Sequence, residues 1–101
     1  MAEIDVRCEP TADGWSCRVE VAEGGSATSH RVAVAATDLA RLDPEAADPT
    51  DLVRRSFAFL LQREPKESIL RTFELTVIGR YFPEYEREIR RRLAASTATI
   101  A

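Results

Sequence analysis

The sequence predicts a small α+β domain, in which a three-stranded antiparallel meander (β-β-β) is followed by three to four helices packed on one face of the sheet. Strict alternation of apolar and polar residues predicts the strands, and glycine-containing turns at 11–14 and 23–26 separate them. Further along, apolar residues recur at helical spacing. The length of 101 residues fits one domain over residues 1–93, and the uncharged stretch 94–101 is expected to be a frayed or disordered tail.

The three predicted strands cover residues 3–9, 15–22 and 28–36. One side of these strands carries Ile4, Val6, Cys8, Trp15, Cys17, Val19, Val21, Val32, Val34 and Ala36. The other side carries Asp5, Arg7, Glu9, Arg18, Glu20 and Arg31. This alternation is typical of an antiparallel sheet that has one face on the core and the other in water.

The two cysteines, Cys8 and Cys17, lie opposite each other if the first two strands form a hairpin with a loop at Thr11–Gly14. That position is compatible with a cross-strand disulfide, but two buried thiols are the expected state in a reducing cytosol. Two cysteines without a nearby histidine do not form a four-ligand zinc site, and the carboxylates follow no calcium-loop pattern. We therefore expect no metal and no cofactor.

Two helices are predicted after the meander, a short one at 37–42 and a longer one at 49–63. Asp48 can cap the longer helix, and the proline that follows it suits the first helical position. Glu64 precedes a second proline and is biased away from helical angles, which ends this helix. The longer helix is expected to lie across the apolar face of the sheet.

The segment from Pro65 to Phe82 is predicted to form two further short helices, at 66–73 and 75–82. Its apolar residues Ile69, Leu70, Phe73, Val77 and Tyr81 follow one helical face. The competing interpretation is a strand at 73–79, because Phe73, Leu75 and Val77 also alternate and residues 76–78 are β-branched.

The last predicted helix opens at Pro83 and buries a stripe formed by Tyr85, Ile89 and Leu93. Its glutamates lie near the start and its arginines near the end, as the helix dipole favours. Favourable pairs are expected for Glu84–Arg87, Glu86–Arg90 and Glu88–Arg92, at i,i+3 or i,i+4 spacing. These pairs favour the interpretation of the arginine run as a solvated helix face.

The net charge of −3 divides unevenly, with −6 over residues 1–50 and +3 over residues 51–101. No apolar run approaches the roughly 20 residues that span a bilayer, and the N-terminus lacks the positive-then-apolar pattern of a secretory signal. A cytoplasmic protein without a membrane partner is therefore expected. A meander followed by helices is similar in outline to several small bacterial modules, and no motif assigns the chain to one family.

No catalytic motif is present, so we expect that the protein is not an enzyme and has no small-molecule substrate. His30 is the single histidine, and the strand alternation directs it inward. A lone histidine without a partner in sequence is more often structural than a general base. Gly24-Gly25 lacks the lysine and hydroxyl residue that complete a phosphate-binding loop.

Six of the seven aromatic residues lie between Phe57 and Tyr85. Because a small sheet covers limited apolar area, part of this segment is expected to stay exposed as an interface. We interpret the protein as a non-catalytic intracellular adaptor or regulatory module. It would contact a protein partner, or a second copy in a homodimer, through its aromatic- and Arg-rich C-terminal helices. The residues expected to make this contact are Phe73, Arg80, Tyr81, Phe82, Tyr85, Arg87 and Arg91.

The alternative function is nucleic-acid binding through a helix-turn-helix built from the predicted helices 49–63, 66–73 and 75–82. Two observations weigh against it. The reading helix would offer few polar side chains to base edges, namely Thr76 and Arg80, and the whole chain is acidic.

Overall fold

A computed structural model describes the backbone of residues 2–98 and the side chains of residues 2–94. The fold is an α+β arrangement built on one four-stranded mixed sheet. The strands are β1 (Glu3–Pro10), β2 (Gly14–Glu23), β3 (Ser26–Ala35) and β4 (Thr72–Glu74). They lie in the order β1-β2-β3-β4. The helices are α1 (Ala36–Leu42), α2 (Thr50–Leu61), α3 (Ile78–Tyr81) and α4 (Tyr85–Ala98).

The predicted meander is confirmed, with β1 antiparallel to β2 and β2 antiparallel to β3. Gly24 and Gly25 form the two-residue turn between β2 and β3, and both have a positive φ, of 64° and 81°. Glycine occupies this conformation without the steric cost that a Cβ would bring. In β2 and β3 alternate residues are buried, and in β1 Val6 is buried with Ile4 and Cys8 half-buried, so the sheet has the predicted apolar face and charged face. Ala36, predicted on the apolar face, begins α1 and is exposed.

The structure joins Cys8 to Cys17 through a disulfide, where two thiols were expected. The hairpin register that the sequence predicted is correct, because these two residues are direct partners across β1 and β2. Cys17 is buried and Cys8 is half-buried. The disulfide therefore links the edge strand β1 to the neighbouring strand β2 on the apolar face of the sheet.

The prediction of a purely three-stranded sheet was wrong, because β4 adds a fourth strand parallel to β3. Phe73 lies opposite Val32, and the Arg31 N–H donates to the Arg71 carbonyl at 2.7 Å. Unpaired backbone groups along β3 are costly when they are buried, so this strand gains from a neighbour. The hydrogen bonds gained by pairing with β3 therefore outweigh the preference of the local apolar spacing for a helix.

The predicted helix at 66–73 does not form. Lys66–Ser68 is a single 3₁₀ turn, Ile69 has extended backbone angles, and the chain then enters β4. The second predicted helix, at 75–82, survives in part as a 3₁₀ turn at Leu75–Val77 that leads into the short α3. The competing interpretation of a strand at 73–79 is correct only for Phe73 and Glu74, because β4 ends at Glu74 and residues 75–81 are helical.

The long helix α2 lies on the apolar face of the sheet, and its buried side chains include Leu52, Val53, Phe57 and Phe59. The Asp48 carboxylate accepts a hydrogen bond from the Thr50 N–H at 2.9 Å, as expected of a residue that caps the helix start. The same bonds with Thr50 lower the pKa of the Asp48 carboxyl.

Helix α4 packs against α2 through the predicted stripe Tyr85, Ile89 and Leu93, which is buried. The Ser56 hydroxyl donates to the Leu52 carbonyl at 2.7 Å, so the Tyr85 hydroxyl donates to Ser56 Oγ, also at 2.7 Å. Burial raises the pKa of the Tyr85 phenol. Tyr85 is thus a satisfied core residue.

The tail predicted at 94–101 overlaps the end of α4, whose helical backbone continues to Ala98. Residues 99–101 lie outside the described residues. In the part of the chain described, no helix is both long enough and apolar enough to cross a membrane.

Candidate interaction groove

An apolar groove of about 440 Å³ opens between the end of α2 and the segment that runs from the 3₁₀ turn through β4 into α3. We call it the groove. It is lined by Leu60, Glu64, Ser68, Ile69, Leu70, Phe73, Val77, Ile78, Tyr81 and Phe82. Eight of these ten residues are apolar or aromatic, which is the character of sites that bind apolar groups.

Two residues of the groove are unusual in their exposure. Leu70 is 47% exposed and Tyr81 is 68% exposed, and they are the exposed large hydrophobic residues of residues 2–94. Both line the groove. Single exposed apolar residues are common, but two of them beside an apolar depression form a contiguous patch.

The local sequence explains why these two side chains reach the surface. In the segment from Ile69 to Ile78, the buried positions are Ile69, Phe73, Leu75 and Ile78, which belong to the hydrophobic core. Extended backbone at Ile69 turns the next side chain, Leu70, to the opposite side. Tyr81 ends the short helix α3, beyond the reach of the core.

His30 holds one wall of the groove in place. Its ring is 2% exposed, and Nδ1 lies 2.8 Å from the carbonyl oxygen of Leu70. Because a carbonyl only accepts, Nδ1–H is the donor to Leu70, and Nε2 is hydrogen-bonded to the Thr28 hydroxyl at 2.8 Å. The ring also packs against Phe57, at 5.3 Å between centroids.

The His30→Leu variant is expected to lower the free energy of unfolding by about 1–3 kcal/mol, because the Thr28 hydroxyl and the Leu70 carbonyl lose a partner. Urea denaturation measures this change. Thr28→Val is the control, since it removes the bond at Nε2 but keeps the bond to Leu70. Amide signals of residues 69–73 should shift in the His30 variant and stay near their wild-type positions in the Thr28 variant; equal shifts in both would contradict the role given to His30.

Glu64 is the one carboxylate among the residues that line the groove. It is half-buried, and within the described side chains it forms no ion pair and no side-chain hydrogen bond. The two nearest cations in sequence are occupied elsewhere. Arg63 pairs with Glu84 at 3.2 Å and lies 3.6 Å over the Phe59 ring, and Lys66 pairs with Glu67 at 2.7 Å.

The structure brings together three of the residues that the sequence proposed for the contact. Phe73, Tyr81 and Phe82 line the groove. Arg80 is exposed directly before Tyr81, although it does not line the groove itself. Tyr85 is fully buried, so its side chain offers no surface to a partner.

The remaining two predicted contact residues, Arg87 and Arg91, are exposed on α4 and do not line the groove. Arg91 pairs with Glu88 at 3.4 Å. The arginine run is therefore a surface separate from the groove.

Several residues of the groove were missed by the sequence analysis, chiefly Leu60, Glu64, Ser68 and Ile78. They come from parts of the chain that only the fold brings together. The alternation that began at Phe73 did not reach Ile69 and Leu70, so no local signal in the sequence pointed to these residues.

The helix-turn-helix considered for nucleic-acid binding is not present, because its second helix at 66–73 is a 3₁₀ turn followed by extended chain. Thr76, one of the two polar residues expected to meet base edges, is half-buried.

The charged face of the sheet is a second surface of note. Arg7, Arg18 and Arg31 lie opposite one another on three adjacent strands, and Asp5 lies opposite Glu20 in the next row. These acids and two of the arginines border a shallow depression of about 250 Å³. Like charges placed directly opposite destabilise a sheet slightly, and the rows alternate in sign, so this face lacks the single charge that a long polyanion requires.

Among residues 2–98, no group of three or more His, Cys, Asp or Glu side chains is placed to hold a metal ion. The groove is the candidate site considered below, and its lining is suited to contact with apolar groups. In comparisons with known proteins, no family model matches this chain, and neither does a curated protein or a solved structure.

Proposed function

We propose that this protein is a non-catalytic interaction module that binds a protein partner through the groove. The observation that carries the proposal is that Leu70 and Tyr81, the exposed large hydrophobic residues of the described side chains, border the same apolar depression. Burying apolar surface stabilises a protein or a complex by about 25 cal/mol for each Å² removed from water, and the exposed part of these two side chains does not contribute this free energy in the isolated chain. A partner that covers the groove recovers it.

The residue types at the groove support binding to a protein surface. Tyrosine is among the residues that contribute most to protein interfaces, because it buries a large rigid area at little entropic cost. Phe82 adds a second ring, held edge-on to Phe59 at 5.9 Å. A rigid wall of this kind binds without a large ordering cost.

Site-specific crosslinking tests the proposal. The photoreactive residue p-benzoylphenylalanine is placed at Tyr81 in the protein expressed in its own host, and irradiation is expected to give covalent polypeptide adducts. The same residue at Arg87 is the matched control, since that position is exposed on α4 outside the groove. Adding Leu70→Ala to the Tyr81 probe should reduce adduct formation about tenfold, which corresponds to ~1.4 kcal/mol of binding energy.

Two outcomes would sink the proposal. One is the absence of any polypeptide adduct from position 81. The other is equal adduct formation from positions 81 and 87, which would indicate nonspecific encounter. Adducts from position 87 alone would assign the contact to the arginine run of α4.

A further inference from the structure

We infer that the partner is a second copy of this chain, bound in a two-fold dimer in which Glu64 of each copy pairs with Arg80 of the other. This inference rests on the proposed function, since it names the occupant of the groove. It follows from three features of the surface: a carboxylate without a cation, arginines without a carboxylate, and an exposed tyrosine that lines the same groove as the carboxylate.

The first feature is the unpaired carboxylate in the groove. Glu64 lies just beyond the C-terminal end of α2, where the helix dipole is negative. The carboxylate and the helix end both favour a positive group at this place. The cations on either side of it, Arg63 and Lys66, are bound to Glu84 and Glu67. No other cation of residues 2–94 pairs with Glu64, so the groove is open to a positive charge from outside the chain.

The second feature is a pair of exposed arginines, each beside an exposed apolar residue. Arg80 precedes Tyr81, and Arg71 follows Leu70. Both arginines are exposed, and neither forms an ion pair with the side chains that the structure describes. The dipeptides Leu70-Arg71 and Arg80-Tyr81 therefore each present one apolar side chain and one free positive charge. An apolar groove that contains one free carboxylate is complementary to such a pair of side chains.

The third feature is that both halves belong to one patch. Tyr81 and Glu64 line the same groove, so the receiving site and the inserted residue lie side by side. A surface that carries both parts meets the condition for a two-fold contact, where residue i contacts residue j and j contacts i. Tyr81 of one copy can then enter the groove of the other while Arg80 reaches Glu64, and the reverse happens at the same time.

The size of the patch indicates a reversible dimer. Buried aromatic side chains cover about 150–250 Å² each, so two tyrosines and two leucines make an interface below the standard size, in the range of weak complexes. Association at micromolar concentration is expected. Because the contact includes two ion pairs made by exposed arginines, added salt should weaken the dimer.

Sedimentation velocity of the full chain, over a concentration series up to tens of micromolar, tests the inference with charge reversal. The wild type is expected to show a monomer–dimer equilibrium. Glu64→Arg and Arg80→Glu should each raise the dissociation constant at least tenfold, because each places like charges face to face. The double variant Glu64→Arg/Arg80→Glu restores opposite charges and should return to within about threefold of the wild-type constant.

Arg87→Glu is the control for charge alone, since it makes the same change on α4 and should leave the constant unaltered. A monomeric wild type at tens of micromolar overturns the inference, and so does a double variant that is as weak as the single ones. These failures differ from failure of the proposed function. If position 81 crosslinks to a different polypeptide while the chain sediments as a monomer, the interaction module stands and its occupant is another protein.

Discussion

The Tyr85→Ala variant is expected to lose about 3–5 kcal/mol of unfolding free energy, the typical cost of truncating a large aromatic side chain in a core. Tyr85 begins α4 and is fully buried where this helix packs on α2, and its ring centroid lies 5.4 Å from that of Phe59. Truncation leaves a cavity and removes the hydrogen bond to Ser56. Because small domains are stable by about 5–15 kcal/mol in total, a large part of the fold's stability depends on this one side chain.

The matched control is Tyr81→Ala, the same substitution four residues earlier. Tyr81 is 68% exposed, so the change should alter unfolding free energy by no more than about 0.5 kcal/mol. Urea denaturation, followed by circular dichroism, measures both variants. Equal destabilisation of the two would contradict the assignment of Tyr85 to the core and Tyr81 to the groove.

Gly14→Ala is expected to cost about 3 kcal/mol, at the upper end of what overpacking usually costs. A Cβ at Gly14 would overlap the carbonyl oxygen of Val34 and lie 2.8 Å from the Ala36 nitrogen. All the atoms in the way belong to the backbone, where β3 ends against the start of β2. They cannot move without breaking the ladder, which includes the bond from the Ala36 N–H to the Asp13 carbonyl at 2.9 Å.

Gly79→Ala is the matched control for the glycine change. Gly79 lies in α3, and a Cβ there meets no atom within 4 Å. Since alanine is a better helix former than glycine by about 1 kcal/mol, this variant should be neutral or more stable than the wild type. The melting temperature of Gly14→Ala should therefore fall, while that of Gly79→Ala should rise or stay unchanged. A Gly14→Ala protein as stable as the wild type would contradict the close approach of the β3 backbone to Gly14.

The strands were predictable because their evidence is local. The alternation of apolar and polar residues assigns each residue of the strands β1, β2 and β3 to one face of the sheet. The two-residue glycine turn between β2 and β3 fixes the register of their hairpin. The same logic placed Cys8 opposite Cys17 and directed His30 inward, and both positions are confirmed. The partners of His30 were not predictable, because Leu70 comes from a segment 40 residues away.

The ion pairs of α4 show the same limit. Helical spacing predicted the pairs Glu84–Arg87, Glu86–Arg90 and Glu88–Arg92, and none of the three forms among the described side chains. Glu88 pairs with Arg91 instead, at i,i+3. Glu84 instead bonds to Arg63 at the end of α2, and Glu86 bonds to Arg41 on α1. Packing brings other arginines closer than the neighbours along the helix. Exposed pairs at helical spacing are worth only a few tenths of a kcal/mol, so small differences in geometry decide between partners.

The sequence by itself determined the α+β class, the antiparallel meander with its inward and outward faces, and the helices α1, α2 and α4, because periodicity and end signals lie within each segment. Only the tertiary structure decided the path between Pro65 and Phe82. In that segment the apolar spacing favours a helix over a strand, and pairing with the open edge of β3 nevertheless made residues 72–74 a strand. That choice sends Phe73 to the core, leaves Leu70 and Tyr81 exposed, and creates the groove between them.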